Sequence, residues 1–245
     1  MNKLKSNLFF VSLCVVTLQG RATVVADEKS SSEPKFVPMF DGKTLDGWSV
    51  IPAKAEKAWT AENGKIVGDG DKGRSYLQYD KNKAISDFEM KFSYRFPKRH
   101  GNSGVNCRAI KDGTGKRSFQ SYHVDIGHVG IGDDVLGAWD FHTPGRKEHG
   151  CPRGKRLVID ENDKATYTDL DGAISVAEIK KGDWNRVHVV VKGDSFKFSI
   201  NGKPSAEFTE KLSEKKKLHK GALQLQLHDP GMTVEFKDLQ LKVLK

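Results

Sequence analysis

Three kinds of feature are scarce in this chain, and each scarcity excludes a class of protein. Only three cysteines occur in 245 residues, too few for a disulfide scaffold or a cysteine-rich metal domain. After the N-terminal run at residues 8–18 no second long apolar stretch follows, so no further segment reads as a membrane span. The formal net charge is +9, yet the lysines are scattered apart from Lys215, Lys216 and Lys217. There is no basic stripe with interleaved aromatics, which argues against nucleic acid as a partner. Helical periodicity is scarce too, with only residues 206–220 carrying a helical look.

What is present begins with a leader. Lys3 and Lys5 precede the apolar run, and Val24, Val25 and Ala26 offer small residues before Asp27. This pattern predicts a signal peptide over residues 1–26, a disordered serine-rich leader over 27–35, and one domain over 36–245. A retained anchor is the alternative. Export to the periplasm or beyond is therefore expected, and subtracting Lys3, Lys5 and Arg21 leaves a charge of +6. Cleavage also leaves two cysteines, Cys107 and Cys151. They could be bridged, or Cys107 could be a small buried apolar residue inside a strand.

From Phe36 onward the dominant period is two. Residues 88–96 alternate apolar and polar for nine positions, and residues 187–191, 196–200 and 233–244 repeat the pattern. Asn201-Gly202 suits a type I′ hairpin. Frequent Asp-Gly and Asn-Gly turns between short strands predict an all-β sandwich of about a dozen strands. Three strands carry rows of hydrogen-bonding side chains on one face: Gln224, Gln226 and His228; His123 and Asp125; Asn106 and Arg108. A polar outer face is ordinary in a sandwich. Amides, imidazoles and guanidinium nevertheless suit sugar hydroxyls better than the lysine and glutamate of an idle surface.

Five segments in order resemble one family. Phe40-Asp41-Gly42-Lys43-Thr44-Leu45-Asp46-Gly47-Trp48, Gly101-Asn102-Ser103-Gly104-Val105, Gly182-Asp183-Trp184-Asn185, Leu225-Gln226-Leu227-His228 and Phe236-Lys237-Asp238-Leu239 are similar to signatures of the 3-keto-disaccharide hydrolase domain family. The resemblance implies a concanavalin-like jelly-roll β-sandwich with its site on a concave face. It also implies cleavage of glycosides already oxidised at C3. A C3 ketone acidifies the C2 proton, so such a site needs a base, an oxyanion stabiliser and an acid for the leaving oxygen. It does not need the paired carboxylates of ordinary glycosidases, and no such pair is apparent.

On this reading His123 is the base, with Asp125 as its electrostatic partner, although relatives usually carry Glu and Gln at these two positions. The departure leaves open that activity is lost or the substrate changed. Arg108 would stabilise the enediolate oxygen, unless it serves a strand-surface salt bridge. His228 would be the acid. Asn102, Asn106, Gln224 and Gln226 would bind sugar, and Trp139 would stack on a pyranose ring. The loop at 142–156 would form a rim or lid. No cofactor is required; a divalent metal on His123, Asp125 and His228 is a weaker option. The partner is then an oligosaccharide or glycoside substrate. A non-catalytic carbohydrate-binding module and an envelope-associated structural domain remain as alternatives.

Overall fold

The computed structural model describes residues 33–127 and 135–244. The expected signal peptide, and most of the expected leader, lie outside the described residues. Sixteen strands run through the described part. The first eight are β1 Val37–Pro38, β2 Trp48–Ile51, β3 Trp59–Glu62, β4 Lys65–Asp69, β5 Ser75–Tyr79, β6 Phe88–Arg95, β7 Gly104–Lys111 and β8 Phe119–Asp125. The second eight are β9 Trp139–His142, β10 Lys155–Ile159, β11 Ala165–Asp169, β12 Asn185–Lys192, β13 Ser195–Ile200, β14 Lys203–Glu210, β15 Ala222–Leu227 and β16 Thr233–Val243. They form two sheets. One has ten strands in the order β11-β10-β14-β13-β12-β6-β16-β4-β3, with β1 added on β16; the other has six, in the order β2-β5-β15-β7-β8-β9.

Alternation explains how the sheets pack. Phe88, Met90, Phe92 and Tyr94 of β6 are buried, as are Val187, Val189 and Val191 of β12. From the smaller sheet, Leu77, Val105, Tyr122, Val124, Phe141, Leu225 and Leu227 are buried in the same apolar cluster. An aromatic knot ties the sheets together: Phe196 and Phe208 stack at 4.2 Å, and Tyr122 lies 4.6 Å from Phe196. Each such fully buried ring contributes about 1.5–3 kcal/mol.

The Asn201-Gly202 turn joins β13 to β14 with both residues at positive φ, 52° and 84°, as a type I′ hairpin requires. Residues 206–220 are not helical. Ala206 and Phe208 alternate inward along β14, and only a 3₁₀ turn, Glu214–Lys216, follows. Pairing with β13 and β10 overrides the local helical preference.

Cys107 and Cys151 are buried and unbridged. Cys107 is an inward residue of β7, while the Cys151 thiol donates to the carbonyls of Glu207 (3.2 Å) and Lys155 (3.3 Å). Burial pushes the Cys107 thiol far above its ordinary range and Cys151 up to about 12. Neither should react with iodoacetamide at pH 8 in the folded protein, and both should react fully in denaturant. Mass spectrometry of the alkylated chain measures this directly; rapid native labelling of either would contradict the packing.

Glu235 of β16 sits between Lys65 (2.7 Å) and Arg95. Burial works to raise its pKa, but the hydrogen bonds from Arg95 and Lys65 outweigh it and hold the carboxyl below its usual range. A depressed folded-state pKa adds stability that is complete above the unfolded value of about 4.3 and fades as pH falls through the folded value. Glu235→Gln is expected to lose about 1–2 kcal/mol at pH 7, after allowance for the solvent reaching Arg95. Urea denaturation should show the gap closing below about pH 4.

Candidate active site

Register in the smaller sheet sets the site. Ser49 faces Gln78, Gln78 faces Gln224, Gln224 faces Asn106, Asn106 faces His123, and His123 faces Asp140. One row of polar side chains therefore crosses all six strands. These positions alternate with the apolar ones that face the larger sheet, so the row lies on the sheet's other face. Above part of this face is a groove of about 1270 Å³, roomier than the ~300–1,000 Å³ usual for drug-sized ligands. His123, Asp125, Asp140 and His142 line it, with Gln226 and His228 from the β15 end and Asn102 from the turn before β7.

His123 is almost fully buried at the bottom. Its Nδ1 lies 2.8 Å from Asn106 Oδ1, and its ring stacks on His142 with centroids 4.9 Å apart. Room for the imidazole depends on Gly104: a Cβ there would lie 2.2 Å from His123 Nε2 and 2.4 Å from the Val124 carbonyl oxygen. Asp125 accepts from the Gly127 amide at 2.9 Å. Asp140 accepts from His142 Nε2 at 3.0 Å. Burial would raise the Asp140 pKa, but the His142 hydrogen bond and the charges of His142 and His123 outweigh it and keep the carboxylate ionised. His228 contacts Asp229 through Nδ1.

Two expected site residues are elsewhere. Arg108 does not share a face with Asn106. A bulge after Cys107, with Arg108 at φ 51°, reverses the parity of β7 and turns the guanidinium inward. There it donates to the carbonyls of Ser86 (3.0 Å), Leu218 (2.9 Å) and Gly193 (2.9 Å) and to Asp87 (3.1 Å), over the Phe196 ring. Backbone approach permits this: a Cβ at Gly221 would meet the Arg108 carbonyl carbon at 2.4 Å. Trp139 is also a core residue, packed on Phe196, Phe198 and Phe208 with its indole N–H on Ala206 O (3.1 Å). It offers no ring to a sugar. Asn106 and Gln224 are on the site face but do not line the groove; Asn106 Nδ2 donates to Gln224 Oε1 (3.0 Å) in the row beside His123. Among the described residues no three His, Cys, Asp or Glu side chains are grouped to hold a metal ion.

The groove has residues that sequence reasoning passed over. Asp140 and His142 alternate with Trp139 and Phe141, the same signal that marked His123 and Asp125, but in a strand of only four residues. Tyr76 and Phe119 line the groove with their rings 5.4 Å apart, and they are the large aromatics on its wall among the described residues. The loop after β9, within the stretch expected to form a rim or lid, contributes Pro144, Gly145, Arg146 and Glu148 to the rim. Glu148 braces it by accepting from the Thr143 amide (2.7 Å) and from Arg117 (3.1 Å). Arg146 reaches back to Glu210, which also accepts from the Tyr122 hydroxyl.

A two-sheet jelly roll is an architecture found in lectin domains, among others. The chain belongs to the 3-keto-alpha-glucoside-1,2-lyase-like domain family, whose profile matches residues 35–242, and is thus a carbohydrate-active domain. No curated protein matches it significantly. Two solved structures from Parabacteroides distasonis ATCC 8503, each described as a candidate glycosyl hydrolase, are similar in fold. One is 22% identical with a TM-score of 0.54, covering 86% of this chain and 94% of the other. The second is 16% identical with a TM-score of 0.51, covering 86% and 100%. The exoplasmic/lumenal domain of VIP36, solved with Ca²⁺ and Man₃GlcNAc, shares the fold at 9% identity, with a TM-score of 0.51 and coverage of 82% and 86%.

Proposed function

We propose that this protein cleaves 3-keto-glycosides by elimination, with His123 as the base. The observation that carries the reading is the buried His123, bonded through Nδ1 to Asn106 at the bottom of a sugar-sized groove in a chain of this family. His123 Nε2 takes the C2 proton, and the electron pair moves onto the C3 carbonyl oxygen as an enediolate. The enediolate then collapses with loss of the C1 oxygen substituent, which leaves as the alcohol after protonation by His228. Water can add across the resulting double bond to give the free 3-keto-sugar. Gln226 and Asn102 supply amides to the developing oxyanion, the task that Arg108 cannot reach. Histidine thus takes the position where relatives usually carry glutamate. The N-terminal run supports placing this reaction outside the cytosol.

The test is incubation with a 3-keto-aryl-glucoside and with its unoxidised parent. Release of the phenol from the ketone alone is the expected result. Equal release from both, or release from neither, would overturn the proposal.

A further inference from the structure

The hydrogen-bond row that holds His123 does not stop at Asn106. Asn106 Nδ2 donates to Gln224 Oε1 (3.0 Å), Gln224 Nε2 donates to Gln78 Oε1 (3.0 Å), and Gln78 Nε2 donates to Asp80 Oδ1 (3.2 Å). Three primary amides on three neighbouring strands therefore link a histidine in the site to a carboxylate at the end of β5. An amide can face either way, but an ionised carboxylate can only accept. Asp80 thus forces Gln78 to present its NH₂ group, which turns the Gln78 oxygen toward Gln224. Gln224 and Asn106 are forced in turn, and the Asn106 oxygen is left facing His123 Nδ1.

We infer that Asp80, acting through Gln78, Gln224 and Asn106, fixes the proton of neutral His123 on Nδ1 and so makes Nε2 the nitrogen that takes up and releases a proton. The residues are positioning residues; none touches the reacting atoms. Asp80 is suited to the task because Lys83 lies 2.8 Å from the same carboxylate oxygen. Burial opposes its ionisation, but hydrogen bonds from Lys83, Gln78 and Ser49 outweigh this and hold its carboxyl below the usual range. Gln224 and Asn106 are almost fully buried, so water is a poor competitor for their amides, and an unmatched orientation would leave polar groups unpaired. A histidine that relied on Asn106 alone would have no such bias, because that amide could flip and donate to Nδ1 instead.

The inference rests on His123 being the base, but its test does not need turnover. In the ¹⁵N-histidine-labelled full domain, long-range ¹H–¹⁵N correlation spectra distinguish the two neutral tautomers. The wild type should show His123 with a protonated Nδ1 and an unprotonated Nε2 above its titration. Gln224→Met, which can hold neither neighbour, should move the signals toward the Nε2–H form. Gln224→Glu, which must still accept from Asn106, should retain the wild-type tautomer. If Gln224→Met does not fold, Gln78→Met, at a half-buried position, should give the same change.

Kinetics with the 3-keto-aryl-glucoside then separate the two readings. Loss of the tautomer should lower kcat by about tenfold or more with KM little changed. A wild-type Nε2–H tautomer, or an unaltered tautomer in the folded methionine variants, would overturn the relay whatever the activity. An altered tautomer with unaltered turnover would uphold the relay and instead remove His123 from the role of base.

Discussion

Replacing His123 with alanine is expected to lower kcat on a 3-keto-glycoside by about 10²–10⁴-fold while sugar binding falls little. The ring lies at the bottom of the groove, whereas Gln226, Asn102, Tyr76 and Phe119 line it and would continue to hold a sugar. Proton abstraction requires the neutral imidazole, so wild-type activity should rise with pH as the ring loses its proton. The alanine variant should lack that limb. Pre-steady-state release of an aryl leaving group, paired with calorimetric titration of an unreactive glycoside, measures both quantities. Full turnover in the variant would move the base to another groove residue, with His228 and His142 the remaining imidazoles there among the described residues. Sugar binding without turnover in the wild type would instead identify a binding module. Gly104→Ala should mimic the loss, because the added methyl occupies the space of the ring.

Arg108→Leu is expected to destabilise the fold by about 3–5 kcal/mol. The wild-type guanidinium satisfies three backbone carbonyls and Asp87, and it joins three chain segments at one end of the sandwich. Leucine leaves those carbonyls and the carboxylate without their donors, and unsatisfied buried groups cost about 1–3 kcal/mol each. For a domain of this size the melting temperature should fall by roughly 6–20 °C at 2–4 °C per kcal/mol. Below that temperature, kcat should stay near the wild-type value. Unchanged melting with lost turnover would return Arg108 to the oxyanion role expected from the parity of its strand.

The contrast between His123 and Arg108 shows how far alternation can be read. Both stood in well-formed period-two strands beside residues of the expected face. Along β8 the parity holds from Ser121 to Asp125, and His123 and Asp125 reach the groove. Along β7 one bulge intervenes, and the next residue of the same parity points into the core. This bulge takes one extra residue and a positive φ at Arg108, and nothing in Asn-Cys-Arg-Ala-Ile announces either; Gly221 packs tightly against it. The sugar-stacking role of Trp139 came from the family resemblance alone, and only the packing of its ring on Phe196, Phe198 and Phe208 decides that it faces inward.

By itself, the sequence determined the fold class, the main strands, the Asn201-Gly202 turn and the strand whose His123 and Asp125 line the groove. These are local properties: side-chain alternation and turn preference act between residues a few positions apart, and the order of family signatures adds to them. Tertiary structure alone decided which polar residues meet. Asp80, Gln78, Gln224, Asn106 and His123 come from four strands scattered across the chain, and β15 lies between β5 and β7 only after the sheets have formed. A hydrogen bond requires contact within about 3 Å, and strand register, which follows from burial of the apolar face of each strand, is what brings such distant residues that close.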